Sequence, residues 1–475
     1  MAIASAVNKQ PNHIATVIDN FANIYFIGIG GIGMSNLARY FLSKSKNVGG
    51  YDRVSTHLTK LLEKEGAAIH YNDDVKTIPT QFLNNNTTLI VYTPAVPSTH
   101  TELVYFKQNG FTIMKRAQVL GEITKLSDAI CCAGTHGKTT VSTMAAHILR
   151  QSKVDCNAFL GGILKNYQSN LLLSKKSDIT VVEADEYDRS FHWLRPWIAI
   201  ITSANPDHLD IYHNAALYRE SFEKFTSLIR EDGYLIMKKD IPVTPQCHPS
   251  VKQYNYSLTS GDFHAENIRI GNGSLVFDFV YPNGIIKDIE LGVPILINVE
   301  NAIAAAAAAW ISGAKKDEIK SSLLSYMGAK RRFDIRFKTD NIVIIDDYAH
   351  HPDEVEASIS SIRKLYDNKK ITGIFQPHLY SRTQDFAEEF AKSLSLLDEL
   401  ILLDIYPARE LPIDGVSSQL IFDKVSIDNK VMSSKCEVID LLKKGYHEVV
   451  LTIGAGDIEA LIPEIEQLYR ANQKC

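Results

Sequence analysis

The chain has 475 residues, 45% hydrophobic and 22% charged, with a formal net charge of −5. That length exceeds one ordinary hydrophobic core and calls for two to four domains. The composition excludes a long disordered chain, and the slight acidity excludes a nucleic-acid binder's basic footprint while leaving room for a small anion held by local cations and helix ends.

The six cysteines, Cys131, Cys132, Cys156, Cys247, Cys436 and Cys475, lack paired metal spacing, so reduced thiols are expected and zinc is not. The opening residues show no basic leader followed by an apolar core. The longest apolar run, "AIAAAAAAWISGA" after Asn301, is too short and small-sided to span a bilayer and reads as a buried helix. A cytoplasmic protein with no membrane partner is expected, as a monomer or weak homodimer.

In chain order, "IYFIGI", "NVGGYD" and "TTLIVYTPAV" alternate with helical stretches between Ile24 and about Lys115, the grammar of a parallel βαβ sheet. Gly28, Gly30 and Gly33 form G-x-G-x-x-G after the first strand, in "GIGGIGM" with Gly31 and Met34, and Asp52 ends the next strand where a ribose-binding acid belongs. This predicts a nucleotide. A pyrophosphate on a helix N-terminus is held the same way in NAD, FAD or a UDP-sugar, so the fingerprint does not choose.

The pattern restarts at "DAICCAG", whose strand runs into "GTHGKTT". Cys132 stands where a standard P-loop has its first glycine, but Gly134 and Gly137 free backbone amides for phosphate. Lys138 can reach the β and γ oxygens, and Thr139, followed by Thr140, can offer a hydroxyl to Mg²⁺. Thr135 and His136 complete the turn. ATP is the predicted ligand, with Mg²⁺. "VVEADEYDRSF" and "NPDHLDIY" end later strands with Glu183, Asp185 and Glu186, and with Asp207, His208 and Asp210; beside a P-loop, such acids suit a metal. The alternating segments from "GYLIMKKD" to "IIKDIELGVP" predict a small antiparallel annex. A third block holds four hydrophobic strands ending in polar residues, "NIVIIDDYAHHP", "ITGIFQPHLYSRT", "ELILLDIYPARE" and "HEVVLTIGAGDIEA". The expected fold is therefore three α/β domains over 1–114, 115–326 and 327–475: Rossmann-like, P-loop ATPase-like with the annex, and Rossmann-like.

Taken in order, "GIGGIGM", "GTHGKTT", "EADEYDRSF", "PDHLD", "RRFD", "DDYAHHP", "FQPHLYSRT" and "GAGDI" resemble the motifs of the Mur ligases over nearly the whole chain. The resemblance implies a UDP-sugar on the first domain, ATP on the second, and a third that receives an amino acid. Two loops would serve two nucleotides. "GTHGKTT" with "DDYAHHPDEV" points within the family to UDP-N-acetylmuramate and L-alanine as substrates, joined through an acyl phosphate in peptidoglycan precursor synthesis. By this carry-over Gly28, Gly30, Gly31, Gly33, Met34 and Asp52 would face the UDP-sugar. Gly134 to Thr140, Asn298, Asn301, Arg332 and Asp347 would bind ATP, with Thr139, Glu183 and His208 on magnesium. Tyr348, His350 and Arg382 would lie near the acyl centre and the incoming amine. The catalytic set is then Lys138, His350 and Arg382. Some positions depart from the family pattern: Ile297 and Leu379 replace a frequent histidine and arginine, and Phe222 stands where sister ligases carry a carbamoylated lysine, so no carbamate is expected. A relative that attaches a preformed peptide to the same sugar nucleotide and, more distantly, an NAD-dependent oxidoreductase are the alternatives.

Overall fold

The computed structural model describes residues 16–471 apart from 94, 208, 272 and 409. Among these residues no helix is long and apolar enough to cross a membrane. The described chain forms two compact units. One comprises residues up to Gly162 with Ser169–Phe263 and Ala304–Ile319; the other comprises Ile163–Gln168, His264–Ile303 and the chain from Lys320 on.

The first unit contains two sheets. β1 (Asn23–Ile27), β2 (Asn47–Tyr51), β3 (Ala68–His70), β4 (Thr88–Tyr92) and β5 (Thr112–Lys115) pair in parallel in the order β3-β2-β1-β4-β5. All of β1 is buried because helices cover both faces, as parallel sheets require. The covering helices are α1 (Ile32–Ser43), α2 (His57–Lys64), α3 (Thr101–Gln108) and α4 (Arg116–Lys125). The second sheet contains β6 (Asp128–Ala133), β7 (Asn157–Leu164), β8 (Ser169–Leu172), β9 (Ile179–Glu183), β10 (Ile198–Ile201), β11 (Tyr234–Lys238) and β12 (Lys252–Tyr256), in the order β12-β11-β10-β6-β9-β7-β8. α5 (Lys138–Gln151) follows β6. One apolar cluster runs through both sheets, from Phe26, Leu37 and Phe41 to Cys131, Phe159 and Val182.

The expected antiparallel annex is smaller than the sequence suggested. β11 and β12 extend the central sheet in parallel, β10 to β11 to β12. Leu235 and Ile236 are both buried, so β11 is covered on both faces, and residues 239–251 supply a connection of about the dozen residues a parallel crossover needs. Only β13 (His264–Gly271), β14 (Ser274–Tyr281) and β15 (Gly284–Glu290) form the antiparallel sheet, and they lie in the second unit. The alanine-rich run is a helix, Leu296–Ile311, with Ala302 to Ala309 buried.

The second unit's main sheet orders β16 (Asp334–Lys338), β17 (Val343–Asp347), β18 (Ile371–Phe375), β19 (Glu399–Leu402), β20 (Lys430–Met432) and β21 (Val449–Ile453) as β16-β17-β21-β18-β19-β20. All pairs are parallel except β16 with β17. The loops after β17, β21 and β18 therefore leave one edge side by side, where α/β sheets place ligands.

A polar cluster lies under α3. The Tyr25 hydroxyl donates to Glu102 Oε2 at 2.7 Å and lies 2.6 Å from His70 Nε2. Glu102 is fully buried, and burial pushes its carboxyl up to about 8. The fold thus favours the neutral acid: that stability is complete below the ordinary carboxyl pKa and is lost as pH rises through about 8. Urea melts should show stability falling by about 1–2 kcal/mol between pH 6.5 and 8.5, a slope that Glu102→Gln removes. Equal slopes in both proteins would show a charged Glu102 in the fold.

Candidate active site

The first glycine loop folds back on β2. Gly28 N–H donates to Tyr51 O at 2.8 Å, and Gly30 N–H donates to Asp52 Oδ2 at 2.7 Å. Asp52 Oδ1 accepts from Val54 N–H at 3.2 Å. One carboxylate oxygen therefore braces the glycine loop and the other the turn that follows β2. α1 then starts at Ile32 with Gly31 as an N-cap that offers no side-chain acceptor, which leaves its first amides for an anion. Met34 packs into the core at 2% exposure, so its side chain belongs to folding and only its backbone faces the loop. Asp52→Ala should release Gly30 and weaken UDP-N-acetylmuramate binding about tenfold while ATP affinity holds, read by calorimetry. An equal loss of both ligands would assign Asp52 to the fold of the whole unit.

The second loop joins β6 to α5. Gly134, at φ 141°, leaves no room for a side chain, since a Cβ there would stand 2.1 Å from Thr202 Oγ1. Gly137 caps α5 in the left-handed region. His136 N–H donates to Ser203 Oγ at 2.8 Å, and the Thr202 hydroxyl donates to His136 O. The Thr135 hydroxyl donates to Asn205 O at 2.7 Å and lies 2.9 Å from the Tyr218 hydroxyl. Thus the loop after β10 clamps the second glycine loop. Lys138 Nζ donates to Gly134 O at 2.6 Å and to Glu186 Oε1 at 2.8 Å. Glu186 is 1% exposed, and its other oxygen has no hydrogen-bond partner among the described residues. Burial pushes its carboxyl up, and Lys138 opposes that shift.

Thr139, at the first turn of α5, is buried at 9% exposure, with Thr140 beside it. Glu183 ends β9, and its Oε2 accepts from Gly161 N–H at 3.1 Å. His208 lies outside the described residues, among which no group of three His, Cys, Asp or Glu side chains could hold a metal. Glu183 and Asp185 line a cavity of about 350 Å³, whose other walls include Gly33, Asn36, Arg116 and Phe191. Phe222 packs in an aromatic cluster, 5.3 Å from Phe191 between ring centroids.

In the second unit, Asn298 and Asn301 are buried and bonded to each other at 3.2 Å, and Asn298 Nδ2 also donates to Val293 O. Their amides thus secure a helix start, while Ile297 beside them is exposed. Arg331 and Phe333 of "RRFD" hold φ of 61° and 45°, a turn that turns both guanidinium groups towards Tyr348: Arg331 and Arg332 lie 4.8 and 5.0 Å from its ring centroid. Arg331 also donates to Gly454 O at 2.6 Å, tying this turn to "GAGDI". Asp347 accepts from Phe333 N–H at 3.3 Å; burial pushes its carboxyl up, against Arg332. His350 Nδ1 lies 2.9 Å from Tyr348 O, and its ring centroid is 6.1 Å from that of His378. A carbonyl only accepts, so Nδ1 carries the hydrogen and Nε2 keeps its lone pair. Arg382 Nη1 stands 3.4 Å from His378 Nδ1. Burial, with His350 and Arg382 adding to it, pushes His378 down to about 4. Leu379 holds φ 72°, and its N–H donates to Tyr406 O at 3.0 Å, which fixes this turn.

Family profiles match three consecutive stretches: "Mur ligase family, catalytic domain" over 23–127, "Mur ligase middle domain" over 132–309 and "Mur ligase, glutamate ligase domain" over 331–458. The chain is 60% identical to the UDP-N-acetylmuramate–L-alanine ligase of Parabacteroides distasonis, over 95% of this chain and 98% of the relative. The chain belongs to the Mur ligase family. The enzyme of the same name from Phocaeicola vulgatus is 57% identical over 94% of this chain and 98% of its own. Among solved structures, the UDP-N-acetylmuramate–alanine ligase of Thermotoga maritima superposes with a TM-score of 0.77 at 28% identity, covering 95% and 99% of the two chains. A murein peptide ligase from Psychrobacter arcticus, at 21% identity and a TM-score of 0.62, shares the fold.

In this Mur ligase the contacts of some residues inside the motifs were not readable from the sequence. Glu186 reads there as one more acid of a metal cluster, yet its carboxylate faces Lys138. His378 was visible inside "FQPHLYSRT", but its approach to His350 and Arg382 follows from two loops leaving β17 and β18 at the same sheet edge.

Proposed function

We propose that this chain is an ATP-dependent ligase that forms the amide between L-alanine and the lactyl carboxylate of UDP-N-acetylmuramate, in the cytoplasm, as a step of peptidoglycan precursor synthesis. The observation that carries the reading is Lys138, held at the start of α5 inside a glycine loop, in a chain whose relatives bear that enzyme's name.

The chemistry follows from what a carboxylate lacks. An amine does not displace oxide from it, so the oxygen must first become a leaving group. The lactyl carboxylate attacks the γ-phosphorus of ATP, the bond to the β-bridging oxygen breaks, and an acyl phosphate and ADP form. Lys138, the loop amides and the α5 N-terminus would gather the charge of the transferring group. Mg²⁺ fits the oxygen donors at hand: Thr139 and Glu183 would hold it, with phosphate oxygens completing the shell, and it would neutralise phosphate charge. The amine of L-alanine then attacks the acyl carbon, phosphate leaves, and His350 would take the amine's proton on its free Nε2. Arg382 would hold the amino acid's carboxylate.

The experiment is phosphate release with ATP and UDP-N-acetylmuramate, each amino acid being added in turn. L-Alanine should support turnover to ADP and phosphate. Release of AMP and pyrophosphate would overturn the acyl-phosphate route, and preference for a preformed tripeptide would overturn the substrate.

A further inference from the structure

Arg116 is the first residue of α4, half-buried on the wall of the 350 Å³ cavity, and it forms no ion pair or side-chain hydrogen bond among the described residues. Its side chain lies along the first turn of α1. A Cβ placed on Gly33 would stand 3.0 Å from Arg116 Cδ and 3.1 Å from Nη1, so the glycine makes the approach possible. The same turn lacks a side-chain cap, so an unpaired guanidinium and unfilled amides converge on one spot. The cavity's lining also carries the carboxylates of Glu183 and Asp185. A half-buried cation that leaves these carboxylates unpaired suits a site built for a ligand anion. A cavity of this size also suits a sugar-sized group.

Resting on the sugar nucleotide proposed above, we infer that Arg116 is a binding residue that grips the diphosphate beside the start of α1. The sugar then fills the cavity, and the lactyl carboxylate points towards Glu183 on its wall. The planar guanidinium presents a rigid fork that matches two phosphate oxygens at once, a geometry an ammonium does not preset.

Calorimetry with UDP-N-acetylmuramate, UDP and ATP on Arg116→Ala and Arg116→Lys tests this. The expected result is a tenfold to hundredfold weaker affinity for both uridine ligands in Arg116→Ala, a smaller loss in Arg116→Lys, and unchanged ATP affinity. Loss for UDP-N-acetylmuramate alone, with UDP unaffected, would mean that Arg116 reads the lactyl carboxylate and would overturn the assignment. No loss for either would overturn it as well. Wild-type protein that binds UDP but not UDP-N-acetylmuramate would remove the proposed substrate while leaving the diphosphate contact standing on the UDP comparison. Should Arg116→Ala also lose ATP affinity, Arg116→Gln, which retains the side chain's bulk, carries the same comparison.

Discussion

Lys138→Ala should reduce acyl-phosphate formation by about a thousandfold or more, since a cation on a migrating phosphoryl group stabilises charge that grows only in the transition state. The measurement omits L-alanine: ATP, Mg²⁺ and UDP-N-acetylmuramate are incubated with hydroxylamine, and the hydroxamate is counted. The structure adds a second consequence. Lys138 compensates the buried Glu186, so its removal leaves a carboxylate without its cation in a site where burial already favours the neutral acid. Lys138→Ala alone therefore mixes lost catalysis with a changed loop. Pairing it with Glu186→Gln separates them: if the double variant regains thermal stability but not hydroxamate, the lysine acts on phosphate. Hydroxamate at the wild-type rate in either variant carrying Lys138→Ala would remove Lys138 from the chemistry.

What could be read from the chain and what could not divide along a physical line. The two glycine loops were legible as strand-to-helix turns because glycines at fixed short spacing, from Gly28 to Gly33 and from Gly134 to Gly137, fix local backbone geometry by themselves. The parallel sheets were legible from buried apolar runs. β11 and β12 were misassigned because a short strand's apolar pattern says how deeply it is buried but not which neighbour it joins; that is settled by the length of the connection and the face left open. Pairings across long stretches of chain were invisible for the same reason. Lys138 meets Glu186 across 48 residues, and Arg116 reaches Gly33 only because α4 packs beside α1. Asp52 was found by position, yet its oxygens brace Gly30 and Val54, a task that spacing alone does not separate from holding a ribose. Met34, Asn298 and Asn301 show the converse: each falls inside a motif, and each side chain is turned into the fold.

His350→Ala should separate the two halves of the reaction. Burial holds its imidazole below the usual histidine pKa, with Arg382 and Arg332 adding to the effect against Glu354. The ring is therefore neutral at pH 7, and with Nδ1 committed to Tyr348 O the basic lone pair is on Nε2. A neutral base takes a proton from an attacking amine but offers nothing to phosphoryl transfer. Hydroxamate should then form in His350→Ala at close to the wild-type rate, while amide formation with L-alanine falls on the order of a hundredfold, the lower range for a positioned general base. The sign of the pH dependence follows. The amide step should lose rate as pH falls through a value below the ordinary histidine pKa, and the variant should lose that limb of the profile. The neighbouring His378 is also held down, near 4, and it stays in place in His350→Ala, so loss of the limb in that variant assigns the limb to His350. Equal losses of hydroxamate and amide in His350→Ala would place the histidine in phosphoryl transfer or in the fold of its loop, and retention of the acid limb in the variant would assign that limb to another group.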